Sequence, residues 1–138
     1  MSTQNTFHFE LVSPEQKLIS EPAFQVTVPG EEGHVGIRAG HMALLISVRP
    51  GVVELIRKEG DTPEKIFIAG GFADVSQKNC TVLAEQAVPL ASLKSETLQV
   101  ELTKLYEDLK LAESDDEKAP LYKKIALVSA MFDAVKAA

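Results

Sequence analysis

Cysteine is almost missing from this chain. Cys80 is the only one, so no internal disulfide can form. It lies in "NCTVLA", a short apolar run that suits an inert thiol packed in a strand better than a nucleophile. The run Asn79-Cys80-Thr81 spells a glycosylation sequon, but no secretion signal accompanies it, and the match is read as accidental. No basic run occurs either, and the formal net charge is −6. Such a chain repels phosphate backbones, which excludes nucleic acid as the expected partner. No apolar run approaches the ~20 residues of a membrane helix. "MSTQNTFHFE" shows neither a signal-peptide nor a transit-peptide pattern, so the expected place of work is a cytoplasm.

Catalytic signatures are missing as well. A phosphate-binding loop requires Gly-Lys-Ser/Thr opening a helix, because the lysine must reach the phosphates and the hydroxyl the magnesium. No Gly-Lys pair occurs in the 138 residues. Gly30, Gly33 and Gly36 miss the dinucleotide-binding spacing, and glycines that turn the chain between strands account for them better. There is no Gly-x-Ser-x-Gly elbow. His34 and His41 stand near Glu31 and Glu32, with His8 far away in sequence. A zinc site needs three or four convergent ligands at short spacings, which this pattern does not supply. The expectation is a chain that performs no chemistry and holds no cofactor or metal.

What is present divides in two. All eight glycines lie between Gly30 and Gly71, and 29 of the last 49 residues are Ala, Leu, Glu or Lys, good helix formers. The shift puts a boundary near Pro89. Before it, "FHFELV" alternates Phe7, Phe9 and Leu11 with polar residues, the period of a half-buried strand. "FQVTV" repeats the pattern with Phe24, Val26 and Val28. "GVVELIR", "KIFIAGGFADV" and "CTVLAEQAV" follow, separated by turn signals such as "PG", "KEGDTPE" and "SQKN". Short strands at this spacing predict an antiparallel β-sandwich or barrel.

After the boundary, Leu98, Leu102, Leu105, Leu109 and Ala112 form one helical seam. Leu121, Ile125, Val128, Phe132 and Val135 form a second. The polar link "ESDDEKAP" suits a helix start, with Pro120 expected in the first turn. The class is therefore α+β: an N-terminal antiparallel β-sandwich over 1–88 and a C-terminal antiparallel two-helix hairpin over 89–138. A hairpin of this size has little core of its own, which makes it a candidate movable part.

The fragments "FELVSPEQKLIS", "VTVPGEEGHVGIRAGHMALL", "VRPGVV", "FIAGGFADV" and "CTVLAEQA", in this order, closely resemble the epsilon subunit of F-type ATP synthases. The likeness runs almost continuously over residues 7–88. It implies a non-catalytic rotor subunit on the cytoplasmic face of a bacterial inner membrane. The sandwich would bind the gamma shaft and the loops of the membrane c-ring, meeting the membrane only through that ring. The hairpin would reach the alpha and beta subunits of the catalytic head transiently and restrain ATP hydrolysis.

The family's ring-contacting loop corresponds to Glu31 through Gly36, with His41 in the neighbouring turn. The contact set carried over is Glu31, Glu32, His34 and His41. His34 replaces an acidic residue found in many relatives. The regulatory set is Lys94, Lys104, Lys110, Lys123 and Lys124. Residues 90–113 carry a balance of −2, so long-range attraction to an acidic partner is absent and a weak brake is expected. "LKSETL" lacks the aspartate and arginine with which some relatives bind ATP, so none is expected to bind. The resemblance also leads us to expect an exposed apolar patch on the sandwich, because a permanent partner face is less polar than ordinary surface. The competing reading of the residues is a free-standing sandwich adaptor whose hairpin binds an unrelated helical protein.

Overall fold

The structure, a computed structural model, describes residues 5–138. The first four residues, part of the stretch read above for targeting patterns, lie outside the described region. The chain separates into two compact units, 1–88 and 89–138.

The first unit is built from strands β1 (Phe7–Val12), β2 (Lys17–Ala23), β3 (Gln25–Gly30), β4 (Gly33–Arg38) and β5 (Leu44–Val48). It continues through β6 (Gly51–Ile56), β7 (Glu64–Ile68), β8 (Gly71–Val75), β9 (Asn79–Ala84) and the short β10 (Ala87–Pro89). They form one continuous ladder in the order β10-β7-β6-β3-β5-β8-β9-β1-β2, with β4 added to β3 alone. The ladder folds on itself at β3, whose Gln25–Thr27 pair with β6 while Gly30 pairs with β5. That bend creates the two layers of a sandwich.

Period-two alternation decides which side chains face inward. In β1, Phe7, Phe9 and Leu11 are buried, while His8, Glu10 and Val12 face outward. Val26, Val28, Val53 and Leu55 from β3 and β6 complete much of the same core. Phe24, expected to share a face with Val26 and Val28, precedes β3 and is only half-buried. Arg38 lies over its ring at 4.8 Å, an arrangement that favours an accessible aromatic face.

One strand pair departs from the expected all-antiparallel sandwich: β1 runs parallel to β9. A parallel pair needs a long crossover rather than a tight turn, and residues 13–78 supply it. Arg57 ties strands together at the surface, donating to Glu21 of β2 and to Glu64 of β7 at 2.7 Å. Both carboxylates raise the guanidinium pKa further. Gly71, at φ +147°, opens β8 where a Cβ would meet the backbone oxygen of Leu83.

In the second unit a 3-10 turn at Leu90–Ser92 precedes α1 (Ser95–Leu111) and α2 (Asp115–Ala137). The link Ala112–Ser114 is too short to allow anything but an antiparallel return. Ser114 caps α2: its hydroxyl accepts from the Glu117 amide at 3.1 Å and donates to the Glu117 carboxylate at 3.4 Å. This N-cap starts the helix earlier than expected, so Pro120 lies inside it rather than in its first turn. Proline has no N–H to give the Asp116 carbonyl, and one intrahelical bond is lost. Leu98 and Leu105 are buried in α1, and Ile125, Val128 and Met131 in α2. Met131 thus takes the inward position expected of Phe132, which is half-buried beneath the Lys136 ammonium at 5.2 Å.

Candidate functional site

The acidic hairpin tip follows from local sequence. Gly30 pairs with Gly33 across the two-residue turn Glu31–Glu32, and Pro29 pairs with His34. The turn leaves Glu31, Glu32 and His34 exposed. They border a shallow depression whose apolar wall is Val35, Leu44 and Leu45.

His41 does not join them. It follows the far end of β4, about 17 Å along the strand from Gly33 at ~3.4 Å per residue. There it shares a second depression with Gln25 and Arg38. Its ring Nδ1 lies 2.8 Å from the Met42 carbonyl, and the Gly40 amide donates to Gln77 in the β8–β9 turn at 2.8 Å. The structure therefore splits the four expected contact residues into a tip of three and a separate His41. Among the described residues, no group of three or more His, Cys, Asp or Glu is placed to hold a metal.

A second surface occupies the outward side of β5, β8, β9 and β1. Phe72 stands directly across from Leu83, and Leu83 across from Val12. Leu45 lies across from Asp74, one diagonal step from Phe72. Leu45 is 66% exposed, and Phe72 and Leu83 are each 51% exposed. Apolar side chains are thus contiguous across four strands on a surface facing water. Its residues were not named from the sequence, although a signal exists. In "CTVLA" the inward phase is Cys80, Val82 and Ala84, so an apolar Leu83 in the outward phase violates simple alternation.

Beside this apolar strip runs a polar row, Asp74–Thr81–Glu10, in which Thr81 pairs with both neighbours. Its two carboxylates differ in their surroundings. Glu10 accepts from Lys17 at 3.0 Å and Ser20 at 3.3 Å, with His8 at 3.2 Å. Lys17 first, then His8, holds its pKa below the usual value. Asp74 is exposed and makes no ion pair among the described residues. Beneath the row, burial and, secondarily, the Asp74 charge push the Cys80 thiol up to about 12.

On the hairpin, Lys94, Lys104, Lys110, Lys123 and Lys124 are all exposed. Lys94 precedes α1 without any side-chain cap bond. No helix among the described residues is long and apolar enough to cross a membrane.

Comparison with known proteins supplies what geometry alone does not. Residues 6–90 match the family described as "ATP synthase, Delta/Epsilon chain, beta-sandwich domain". The chain is 44% identical over 131 residues to the "ATP synthase epsilon chain" of Rhodospirillum rubrum, covering 95% of this chain and 97% of the relative. It is 42% identical over 131 residues to that of Rhodospirillum centenum, covering 92% and 90%. Its fold resembles a chain of the Euglena gracilis mitochondrial ATP synthase, OSCP/F1/c-ring in rotational state 1. That likeness has a TM-score of 0.78 at 24% identity, over 99% of this chain and 83% of the other. A chain of the Tetrahymena thermophila mitochondrial ATP synthase central stalk and c-ring gives 0.63 at 12% identity, over 97% and 99%. A β-sandwich matched across its whole length, followed by two helices and joined to bacterial relatives of this identity, leaves one assignment: the chain belongs to the epsilon-chain family of ATP synthases.

Proposed function

We propose that this chain is a non-catalytic rotor subunit of the central stalk, transmitting rotation of the c-ring to the catalytic head through the gamma subunit. Family membership supplies the setting, and the exposed strip of Leu45, Phe72 and Leu83 is the observation that carries the role. Apolar surface of this continuity is unfavourable in water and is stabilised by a lasting partner. The gamma shaft is that partner. The tip of Glu31, Glu32 and His34 faces the polar loops of the c-ring, and the chain meets the membrane only through that ring. His41, past the other end of β4, lies apart from this tip and would meet the ring only separately from it. The preceding Gly40 bonds to Gln77 in the β8–β9 turn, which favours a place near the shaft-facing margin.

The subunit works on the cytoplasmic face of a bacterial inner membrane. Its hairpin reaches the alpha and beta subunits transiently through Lys94, Lys104, Lys110, Lys123 and Lys124 and acts as a weak brake on hydrolysis. The −2 balance of residues 90–113 favours this over a strong brake, because no long-range field draws the first helix toward an acidic surface. Reconstitution of the enzyme with a chain lacking residues 90–138 tests it. ATP synthesis should remain coupled and hydrolysis rise only modestly, and a rise of about tenfold, some 1.4 kcal/mol of restraint, would refute the weak brake.

A further inference from the structure

The two carboxylates of the polar row point to a requirement on the partner. Asp74 lies directly across from Leu45 on one side and Thr81 on the other, two residues along β8 from Phe72. Any surface that closes over Leu45, Phe72 and Leu83 therefore also removes water from Asp74. Glu10, in the same row, meets that situation already compensated by Lys17, His8 and Ser20. Asp74 has no cation beside it among the described residues. A carboxylate closed off from water without a partner opposes association, whereas one met by a well-placed cation fixes the register of docking.

Building on the shaft-docking reading above, we propose that the gamma segment covering this strip presents one lysine or arginine against Asp74, flanked by apolar side chains that cover Phe72 and Leu83. The occupant is thus an amphipathic segment with a single positive group set within an apolar face. Arginine fits best, because its planar fork matches a carboxylate with two parallel hydrogen bonds. Asp74 acts here as the specificity-determining residue of the face. The apolar strip supplies adhesion without direction, and the Asp74 charge at its margin permits one alignment.

The test is binding of the full-length chain to the alpha, beta and gamma assembly from the same bacterium, prepared without this subunit. Asp74→Asn, Asp74→Lys and Phe72→Ser are compared with the unmodified chain at low and high salt. All three positions are exposed, so a thermal melt of each free variant should match the parent. Asp74→Asn should weaken binding by about 30-fold or more and Asp74→Lys further. Raising the salt should narrow the difference between Asp74→Lys and the parent. If Phe72→Ser weakens binding while both Asp74 variants bind like the parent, or more tightly, the cation is refuted and the docking face stands. If Phe72→Ser also leaves binding unchanged, the docking face itself is refuted.

Discussion

Replacing Gly71 by alanine tests how tightly the β8–β9 pair is closed. A Cβ at Gly71 would stand 1.8 Å from the Leu83 oxygen, 2.9 Å from its carbonyl carbon and 3.2 Å from the Ala84 Cα. All three obstacles are backbone, so no rotamer change relieves them. The strands must part by more than an ångström where Gly71 pairs with Ala84 and, on its other side, with Val48. The bond from the Glu85 amide to the Gly70 oxygen, 3.0 Å long, lies in the same place. Holding alanine at φ +147° adds strain of about 1–3 kcal/mol, and two or three weakened backbone bonds add about 1 kcal/mol each. The expected loss is about 3–6 kcal/mol, a large share of the ~5–15 kcal/mol that holds an ordinary domain together.

Gly60 is the control. Its φ is +88°, but nothing among the described residues lies within 4 Å of an added Cβ, so Gly60→Ala should lose only about 1–2 kcal/mol. Thermal melts followed by circular dichroism separate the two. At about 4–8 °C per kcal/mol for a domain of this size, Gly71→Ala should melt at least ~12 °C below the parent or fail to accumulate folded. A Gly71→Ala variant that melts within a degree or two of Gly60→Ala would refute the close approach.

Cys80 should resist thiol reagents at pH 8 in the folded chain and react rapidly once denatured, as the time course of colour release would register. Its pKa is raised, so the associated stability is complete below the ordinary value of 9.0 and is lost as pH climbs toward about 12. Denaturant titrations of the parent should therefore fall more steeply over that window than those of Cys80→Ala, and equal slopes would contradict the burial argument. Pro120→Ala restores an N–H to α2 and should raise the stability of the hairpin by about 1–3 kcal/mol. Amide exchange at the helix amides would report it, and unchanged protection would mean that the lost bond costs nothing. ATP should show no sub-millimolar complex with the free chain by calorimetry, because "LKSETL" carries no arginine for phosphate; a measurable complex below that concentration would overturn it.

The sequence alone determined the elements. Alternation in "FHFELV" fixed which side of β1 faces the core, because a strand's period of two leaves one phase for water. The shift in composition near Pro89 separated a glycine-rich half that must turn often from a half that has no reason to. Those signals are local, and local chemistry suffices to read them. The helix caps were less legible: acidic residues announced a start for α2, but only the Ser114 cap on the Glu117 amide showed that it precedes Pro120 by more than a turn. Tertiary structure decided everything that depends on which strands lie side by side. Glu31 and His41 look like neighbours in "GEEGHVGIRAGH", yet a six-residue strand carries them to opposite ends. Residues 72, 83 and 12 look unrelated, yet the parallel pairing of β1 with β9 and the β8–β9 ladder set them in one row. The same register leaves Asp74 beside that row with no ion pair among the described residues, and no reading of "GGFADV" in isolation contains that fact. Pairing is a long-range choice made by the closing core, and the surfaces offered to partners inherit it.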